Sequence, residues 1–323
     1  MKAITRHRYG GTEALEFEEL ARPEIADDQV LVQVRAAGVG RETWHLMTGL
    51  PYLMRVTGFG VRAPKQPVLG GAVAGVVDAV GAGVTRFSPG DEVFGIAHGS
   101  YAEFAAADED RLTHKSAVLT FEEAAALPVS GTAAVEATMH HGRVRAGQRV
   151  AITGASGGVG SIAVQIARSL GAEVTGVCST TKTDFVRSLG AAHIVDYTRQ
   201  DLTDTGVRYD VIIDIAGNRR LRDLRKALAP EGRLVIAGGE GGDRLTGGVH
   251  RQLRAVLWSP FIGRTLTTFI SRERREDLDE LTRLAATGEL RPAIDRTWSL
   301  AEAAEALTHL TDGHTKGKAV LVP

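Results

Sequence analysis

The chain of 323 residues has little cysteine, few aromatic side chains and almost no net charge, and each shortage excludes a class of protein. Its one cysteine, Cys178, excludes an internal disulfide and a thiolate zinc cluster. A formal net charge of −1 at pH 7 provides no field for nucleic acid or an anionic membrane. No apolar run approaches the ~18 residues of a spanning helix, and the first residues lack the apolar region of a secretory signal. We therefore expect a cytoplasmic protein.

Glycine is abundant, with 38 residues against 10 prolines, as in α/β proteins rich in tight turns. The length allows roughly two domains. The first ~120 residues predict short antiparallel strands, because apolar and polar residues alternate within 30–36, 72–80 and 91–96. From Phe121 onwards the apolar period becomes helical.

Strands and helices then alternate regularly, which predicts a doubly wound parallel sheet. A further charged helix is predicted at 274–287, and another helix near 300–310 precedes a final strand at 318–322 that should return to the first domain. The predicted strands of the sheet are 149–153, 173–178, 193–195, 210–215 and 233–237; its helices are 159–170, 182–189 and 219–228, with Gly171, Gly190 and Gly232 near their ends.

The strongest single motif is the glycine-dense turn in residues 150–160, which lies between a β-branched run and an amphipathic helix. This strand, turn and helix start form the cradle that binds a dinucleotide pyrophosphate. The backbone N–H groups and the positive end of the helix dipole face the anion there. The pattern is A-x-G-x-x-G rather than G-x-G-x-x-G, and we assign cofactor binding to Ala155, Ser156, Gly157, Gly158, Val159 and Gly160.

The end of the second strand indicates which nicotinamide cofactor the chain prefers. An NAD-selective site places Asp or Glu ~20 residues after the first glycine position. Here the segment contains Ser179, Thr180 and Lys182, and the next carboxylate is Asp184. Hydroxyls and an ammonium suit a 2′-phosphate, which favours NADPH. The alternative interpretation is that residues 180–182 only cap the helix that begins nearby.

Several segments resemble the medium-chain dehydrogenase/reductase superfamily, in particular its zinc-independent quinone reductases, and they occur in the family's order. The resemblance implies a GroES-like, β-rich catalytic domain (1–121 and 289–323), a Rossmann domain with a doubly wound parallel sheet (122–288), and a homodimer. It also assigns cofactor binding to Tyr197, Thr132, Ala216, Gly217, Ala237, Gly238, Gly239 and Lys318. The segments are Gly10-Gly11, Ala36-Ala37-Gly38-Val39, Gly75-Val76-Val77-Asp78-Ala79-Val80-Gly81, Pro89-Gly90-Asp91-Glu92-Val93, Glu122-Glu123-Ala124-Ala125-Ala126-Leu127-Pro128, the phosphate turn, Leu189-Gly190-Ala191, Asp196-Tyr197 and Lys316-Gly317-Lys318.

The resemblance also allows the metal ligands of zinc-dependent relatives to be compared position by position. Where those relatives have Cys, His and Glu, this chain has Gly40, Gly71 and Ala72. None of the three offers a donor atom, and zinc needs three or four N, S or O ligands. We expect no metal.

The resemblance places the pocket wall in residues 40–52, where this chain departs most from the family. Relatives often have Asn, Asp and Arg at the positions of Gly40, Thr43 and Met47. The donor for a developing oxyanion is therefore open, with Tyr52, His45 and Arg41 as catalytic candidates. Backbone N–H groups in residues 237–239 are an alternative.

NADPH without a metal suits hydride transfer to a carbon that is already electrophilic, as in a small-molecule quinone or an enone. We therefore predict an NADPH-dependent, zinc-independent oxidoreductase acting on a quinone or an α,β-unsaturated carbonyl. Two alternatives remain at this point. One is a biosynthetic tailoring enzyme of the same fold with a specialised substrate, because sites are grafted onto folds. The other is a non-catalytic NADPH-binding or sensing protein.

Overall fold

The structure is a computed structural model that describes residues 1–238, 243–248, 252, 255 and 263–323. Its strands are β1 (Lys2–Thr5), β2 (Glu16–Glu19), β3 (Gln29–Val39), β4 (Ala72–Val80), β5 (Glu92–Ile96), β6 (Phe104–Asp108), β7 (Leu112–His114), β8 (Arg149–Thr153), β9 (Glu173–Cys178), β10 (His193–Asp196), β11 (Tyr209–Asp214), β12 (Leu228–Ile236), β13 (Thr265–Thr268), β14 (Ile294–Ser299) and β15 (Lys318–Val322). The helices within the described residues are α1 (Arg41–Thr48), α2 (Phe121–Ala125), α3 (Pro128–Val135), α4 (Gly158–Ser169), α5 (Thr183–Ser188), α6 (Leu221–Ala227), α7 (Arg275–Ala286) and α8 (Ala303–Thr311).

The chain forms two compact units. The first consists of Met1–Thr132 and Glu273–Pro323, and the second is Ala133–Arg272. The domain bounds predicted from the sequence lie elsewhere, with residues 122–132 and 273–288 assigned to the Rossmann domain. In the structure these segments belong to the first unit, because α2 packs on β3 and β4, and α7 packs on β7.

The first unit is β-rich, as predicted. Its main sheet has the strand order β14-β15-β3-β4-β5-β7, with β6 also paired to β3. The alternating residues Val30, Val32 and Val34 of β3 are buried in a core that also contains Trp298 and Leu321. The last strand pairs with β3, so the C-terminal segment returns to the first unit as expected.

The second unit is a six-stranded parallel sheet with the order β10-β9-β8-β11-β12-β13. Counted from β8, this order is 3-2-1-4-5-6, the Rossmann arrangement, in which ligands bind where the strand order reverses. That point lies between β8 and β11, which are hydrogen-bonded neighbours. The predicted fold class is thereby confirmed.

Two details of the sheet differ from the prediction. Gly232 does not end a helix; it lies within β12, next to Glu231 in the left-handed conformation (φ 63°), where the register with β11 shifts between Tyr209 and Val211. The strand β13 was not predicted, because four residues rich in threonine carry little periodic signal. Within the described residues, no helix combines the length and the apolar character needed to cross a bilayer.

Candidate cofactor site and candidate catalytic residues

The glycine turn joins β8 to α4 with the close packing that its motif requires. Gly154 has φ +67°, a conformation that L side chains rarely adopt. Gly157 is the N-cap of α4. A Cβ at Gly160 would lie 2.1 Å from the Gly154 carbonyl oxygen, so only glycine allows the helix to begin this close to the turn. The first N–H groups of a 12-residue helix therefore face the space above the turn.

Alanine replaces the first glycine of the motif, and the neighbouring strand explains why this is possible. Ala155 is fully buried, and its N–H donates to the carbonyl of Val177 on β9. A Cβ at Gly176 would lie 3.3 Å from the Ala155 methyl group. The missing side chain at Gly176 leaves room mainly for Val186, whose Cγ1 would lie 2.3 Å from such a Cβ, and also eases the packing of the Ala155 methyl group.

A buried hydrogen-bonded pair joins the two strands at the reversal point. The Thr153 hydroxyl, at the end of β8, donates to Asp214 Oδ1 at the end of β11 over 2.7 Å. The same hydroxyl oxygen accepts from the N–H groups of Ile215 (3.1 Å) and Ala216 (3.2 Å). This network fixes the start of the loop that contains the predicted cofactor residues Ala216 and Gly217.

The predicted residues Ala237 and Gly238 lie directly after β12. Their N–H groups donate to the Asp214 carbonyl oxygen over 3.0 and 3.2 Å. Because both donors already have an acceptor, the alternative that these N–H groups stabilise an oxyanion is not supported. Gly239 lies outside the described residues.

The loop after β9 brings together the residues predicted to select the cofactor. Residues 180–182 form a 3-10 turn with Ser179 at its N-cap, but the Ser179 side chain makes no capping hydrogen bond. Lys182 is half-buried, and Tyr197, which follows β10, is exposed. The Tyr197 N–H donates to the Cys178 carbonyl, so the two loops are joined by backbone.

The structure also places a carboxylate at this loop. Counting residues along β9 could not identify it, because it belongs to β10. Asp196 ends β10 in register with Cys178 and accepts a hydrogen bond of 2.5 Å from the Thr180 hydroxyl. Thr198 donates to the same carboxylate through its N–H and its hydroxyl. The Thr180 hydrogen bond, followed by those of Thr198, lowers the pKa of Asp196. The Thr180 hydroxyl thus donates its proton to Asp196, and the assignment of Thr180 to the cofactor stays a prediction.

Cys178 itself is buried, and burial raises the pKa of its thiol to about 11. At neutral pH the group is protonated and packs as a small apolar residue.

Two of the predicted cofactor residues belong to the first unit. Thr132 is fully buried in α3 and donates its hydroxyl to the Pro128 carbonyl over 2.7 Å. Lys318, at the start of β15, is 4% exposed, and its Nζ lies 4.0 Å from Glu42 Oε1. Glu42 was not among the residues predicted from the sequence.

Glu42 occupies the space left by the missing side chain at Gly40, the position where relatives often have Asn. A Cβ at Gly40 would lie 2.1 Å from Glu42 Oε2. Beneath this carboxylate the Thr43 hydroxyl accepts from Tyr101 over 3.3 Å. Both Thr43 and Tyr101 are fully buried, and burial raises the pKa of Tyr101 above its usual range. In the sequence, the only indication for Glu42 was that it follows two residues after Gly40, a position where relatives often have a side chain.

The three catalytic candidates lie on α1 and just after it. Arg41 lies over the Trp44 ring at 5.8 Å from its centroid. His45 Nδ1 is 2.6 Å from the Leu50 carbonyl oxygen, so this nitrogen carries the proton and donates it. Tyr52 is 40% exposed, and the Arg55 guanidinium lies 4.8 Å from its ring centroid. Tyr52 is therefore the exposed residue of the three, and it carries their one hydroxyl.

The positions of the zinc ligands in relatives provide no metal site in this chain. They hold Gly40, Gly71 and Ala72, which cannot coordinate a metal. Across the described part of the chain, one group of three side chains has ligand atoms within reach of one another, namely His7, Glu16 and Glu18 beside the β1–β2 pair. This group is largely exposed and does not fit a catalytic zinc.

A Rossmann sheet with a phosphate turn at its reversal point, joined in one chain to a β-rich unit, defines a dinucleotide-binding oxidoreductase of two domains. Two family models match the chain: "Alcohol dehydrogenase GroES-like domain" over residues 26–117 and "Zinc-binding dehydrogenase" over residues 189–321.

Known proteins resemble the chain over its whole length. The quinone oxidoreductase of Pseudomonas aeruginosa is 32% identical, covering 100% of this chain and 99% of that protein. The NADPH-dependent alkenal/one oxidoreductase of Arabidopsis thaliana chloroplasts is 31% identical, covering 100% of this chain and 80% of that protein. The solved structure of the Coxiella burnetii quinone oxidoreductase superposes with a TM-score of 0.86 at 27% identity, covering 100% and 99% of the two chains.

The chain belongs to the quinone oxidoreductase family of the medium-chain dehydrogenase/reductase superfamily. The predicted family is therefore confirmed, and with it an oxidoreductase that uses a nicotinamide cofactor and a small-molecule acceptor.

Proposed function

We propose that the protein is an NADPH-dependent, zinc-independent reductase of quinones and α,β-unsaturated carbonyl compounds. Bound NADPH would be the source of a hydride for the acceptor carbon, and the acceptor would need no metal because its own carbonyl withdraws electrons. The observation that carries the proposal is the intact phosphate turn at the reversal point of a Rossmann sheet, with an ammonium and hydroxyls after β9.

Different residues of the chain would bind different parts of the cofactor. The N-terminus of α4 would bind the pyrophosphate through the N–H groups that follow Gly157, since the first N–H groups of a helix have no intrahelical acceptor; the Gly157 N–H itself donates to the Gly154 carbonyl. Ser179, Lys182 and Tyr197 would bind the 2′-phosphate. Thr180 and Asp196 would hold the loop that carries these residues, because their hydrogen bond connects the ends of β9 and β10.

Tyr52 is the best of the catalytic candidates to donate a hydrogen bond to the acceptor oxygen, because the residue is exposed and carries a hydroxyl. His45 Nδ1 is occupied by the Leu50 carbonyl. Its other nitrogen can only accept a proton in that tautomer, which makes His45 a weaker candidate donor.

The test of cofactor and reaction is a kinetic one with matched variants. Loss of NADPH absorbance should occur with both a small quinone and a small enone, and prior treatment with a chelator should not slow it. Lys182→Ala and Ser179→Ala should raise the KM for NADPH by about tenfold while that for NADH changes little, which corresponds to the loss of about one charge-assisted hydrogen bond. Lys226→Ala, an exposed lysine on α6, serves as the control for charge alone. Equal effects on both cofactors would refute the assignment of NADPH.

The name of the Arabidopsis relative, an NADPH-dependent alkenal/one oxidoreductase, is consistent with this choice of cofactor and acceptor. We also propose that the protein is cytoplasmic and that it forms a homodimer.

A further inference from the structure

Residues 51–65 form a loop after α1 that exposes apolar side chains to solvent. Among the described residues, ten large hydrophobic side chains are exposed, and five of them lie in this loop, with exposed fractions from 40% to 66%. A concentration of exposed apolar side chains on one short segment marks an interaction surface, whereas single scattered ones do not. The five are Tyr52, Leu53, Val56, Phe59 and Val61.

The 51–65 loop is attached to the rest of the first unit by hydrogen bonds from two sides. The Tyr9 hydroxyl donates to the Gly60 carbonyl over 2.7 Å. The Arg55 guanidinium donates to the carbonyl of Gly49, the residue that ends α1, over 2.9 Å. The backbone of the loop is therefore fixed to its neighbours while its apolar side chains face solvent.

The charged side chains of the 51–65 loop are all positive. The loop contains Arg55, Arg62 and Lys65, and the chain has no acidic residue between Glu42 and Asp78. Arg62 and Lys65 are exposed, and the ion pairs within the described part of the chain do not include them. The net charge of −1 for the whole chain thus conceals a local surplus of positive charge.

The uncharged polar groups of the loop are largely used within it. The Lys65 N–H donates to the Phe59 carbonyl over 3.1 Å, and the Thr57 hydroxyl donates to the Met54 carbonyl over 2.9 Å. A protein partner is recognised through about one hydrogen bond per 100–200 Å² of interface, whereas this loop offers mainly cations and apolar surface. A lipid surface is recognised by that combination, because apolar side chains enter the boundary of the acyl chains while Lys and Arg contact anionic headgroups.

A second copy of the chain suits this surface less well than an anionic membrane does. In a twofold dimer built on the 51–65 loop, the same patch would face itself. Arg62 and Lys65 of one copy would then meet the same cations of the other. Anionic lipids present the opposite charge and attract basic residues.

We propose that the 51–65 loop docks the protein on the surface of a membrane that contains anionic lipids. Its apolar side chains would enter the interface, and Arg62 and Lys65 would contact lipid phosphates. This peripheral contact requires no spanning helix. The inference goes beyond the proposed function and does not depend on it, because binding to lipid requires no turnover.

The charge test measures co-sedimentation with vesicles. Wild-type protein should bind vesicles of phosphatidylcholine with phosphatidylserine, and much more weakly those of phosphatidylcholine alone. Arg62→Gln with Lys65→Gln should lower the partition constant about 10- to 30-fold, since each basic residue near an anionic surface contributes roughly a fivefold factor. Arg222→Gln with Lys226→Gln removes the same charge from exposed positions on α6 and should bind like wild type. About 1 M salt should weaken wild-type binding by screening.

The apolar test uses the two most exposed side chains of the loop. Val56→Ser with Val61→Ser should lower the partition constant about tenfold, because less apolar surface enters the interface. Val118→Ser with Ile270→Ser, two exposed apolar residues elsewhere, is the matched control and should not change binding. Since all four positions are exposed, both double variants should keep the wild-type Tm.

A fluorescent probe locates the contact. Cys178 is buried, and burial raises its pKa to about 11, so the thiol introduced by Val56→Cys is the one that reacts at neutral pH. A nitrobenzoxadiazole group at position 56 should gain intensity when phosphatidylserine vesicles are added. The same group at Val118→Cys should not respond.

Several results would overturn the inference. Wild-type binding that is absent, or equal for the two kinds of vesicle, would leave a protein partner as the occupant. Binding that survives the loss of Arg62 and Lys65, or a silent probe at position 56, would place the contact elsewhere. A probe that responds to NADPH and not to vesicles would make the loop a cover for the cofactor. Loss of a dimer in Val56→Ser with Val61→Ser, without lipid, would assign the surface to a second copy. If a double variant does not fold, the two vesicle types and the probe still decide.

Discussion

Substituting Gly157 by alanine separates cofactor binding from folding. A Cβ at Gly157 would have one neighbour, the Gly154 carbonyl oxygen at 3.5 Å, which is an ordinary contact. The residue has φ −83° and ψ −178°, which alanine adopts freely. Alanine is a poorer N-cap by ~1 kcal/mol or less, and the stiffer unfolded chain offsets about 0.4–1 kcal/mol of this. The free energy of unfolding should therefore stay within about 1 kcal/mol of wild type.

The effect on the cofactor should be much larger. The new methyl group would stand where the helix N–H groups meet the pyrophosphate, and the loss of one hydrogen bond to a charged group costs about 1.5–3 kcal/mol. The Kd for NADPH, measured by calorimetry, should rise about 10- to 100-fold. Wild-type affinity in Gly157→Ala would show that the pyrophosphate does not lie at this turn.

Gly160→Ala is the matched control, with the opposite pattern. Its Cβ would lie 2.1 Å from the Gly154 carbonyl oxygen, and backbone cannot yield as a flexible side chain can. The strain should cost about 1–3 kcal/mol of stability. This variant should lose Tm before any cofactor is added, whereas Gly157→Ala should not.

Three further predictions concern the second unit. Thr153→Val removes the hydroxyl that connects Asp214 to the next loop, and it should lower the free energy of unfolding, measured by denaturant titration, by about 2–4 kcal/mol. Thr153→Ser keeps the oxygen and should lower it by about 1 kcal/mol. Cys178 should resist iodoacetamide in the native protein up to about pH 9, because burial raises its pKa; rapid labelling, with Cys178→Ser as the unlabelled control, would contradict its burial. The folded-state pKa of Asp196 is lowered by the Thr180 hydrogen bond, so its contribution to stability is present above about pH 4 and is lost as the pH falls through the folded value. The Tm difference between wild type and Asp196→Asn should accordingly shrink in acid, and a difference that is constant with pH would refute this.

Local patterns were sufficient to predict the Rossmann sheet and its phosphate turn. The strands at β8 and β9 were predicted with the bounds that the structure shows, because β-branched runs between glycines have few alternatives. The spacing of the motif alone was sufficient to single out Gly160. What sequence could not show is contact between segments distant along the chain. Asp196 reaches Thr180 only through the register of β10 on β9, and counting residues along β9 passes over it.

In the first unit, the burial and the contacts of charged side chains were likewise not predictable from the sequence. Arg6 lies in a segment that resembles a polar chain start, and only the tertiary structure buries its guanidinium. From the sequence, Glu42 could be taken for an ordinary acidic residue at the start of a helix, yet its carboxylate occupies the space that a side chain at position 40 would fill. Burial and counter-ion placement depend on tertiary packing, which periodicity does not encode.

The carboxylate above Gly40 links mutation at this position to Lys318. Any side chain introduced at position 40 would require the Glu42 carboxylate, the end of a flexible side chain, to move from its place 4.0 Å from the buried ammonium of Lys318. An exchange to asparagine at position 40 would therefore also change the surroundings of Lys318. We therefore expect the effects of exchanges at positions 40, 42 and 318 to be non-additive, so that a single exchange that copies a relative's residue would misreport what each residue contributes.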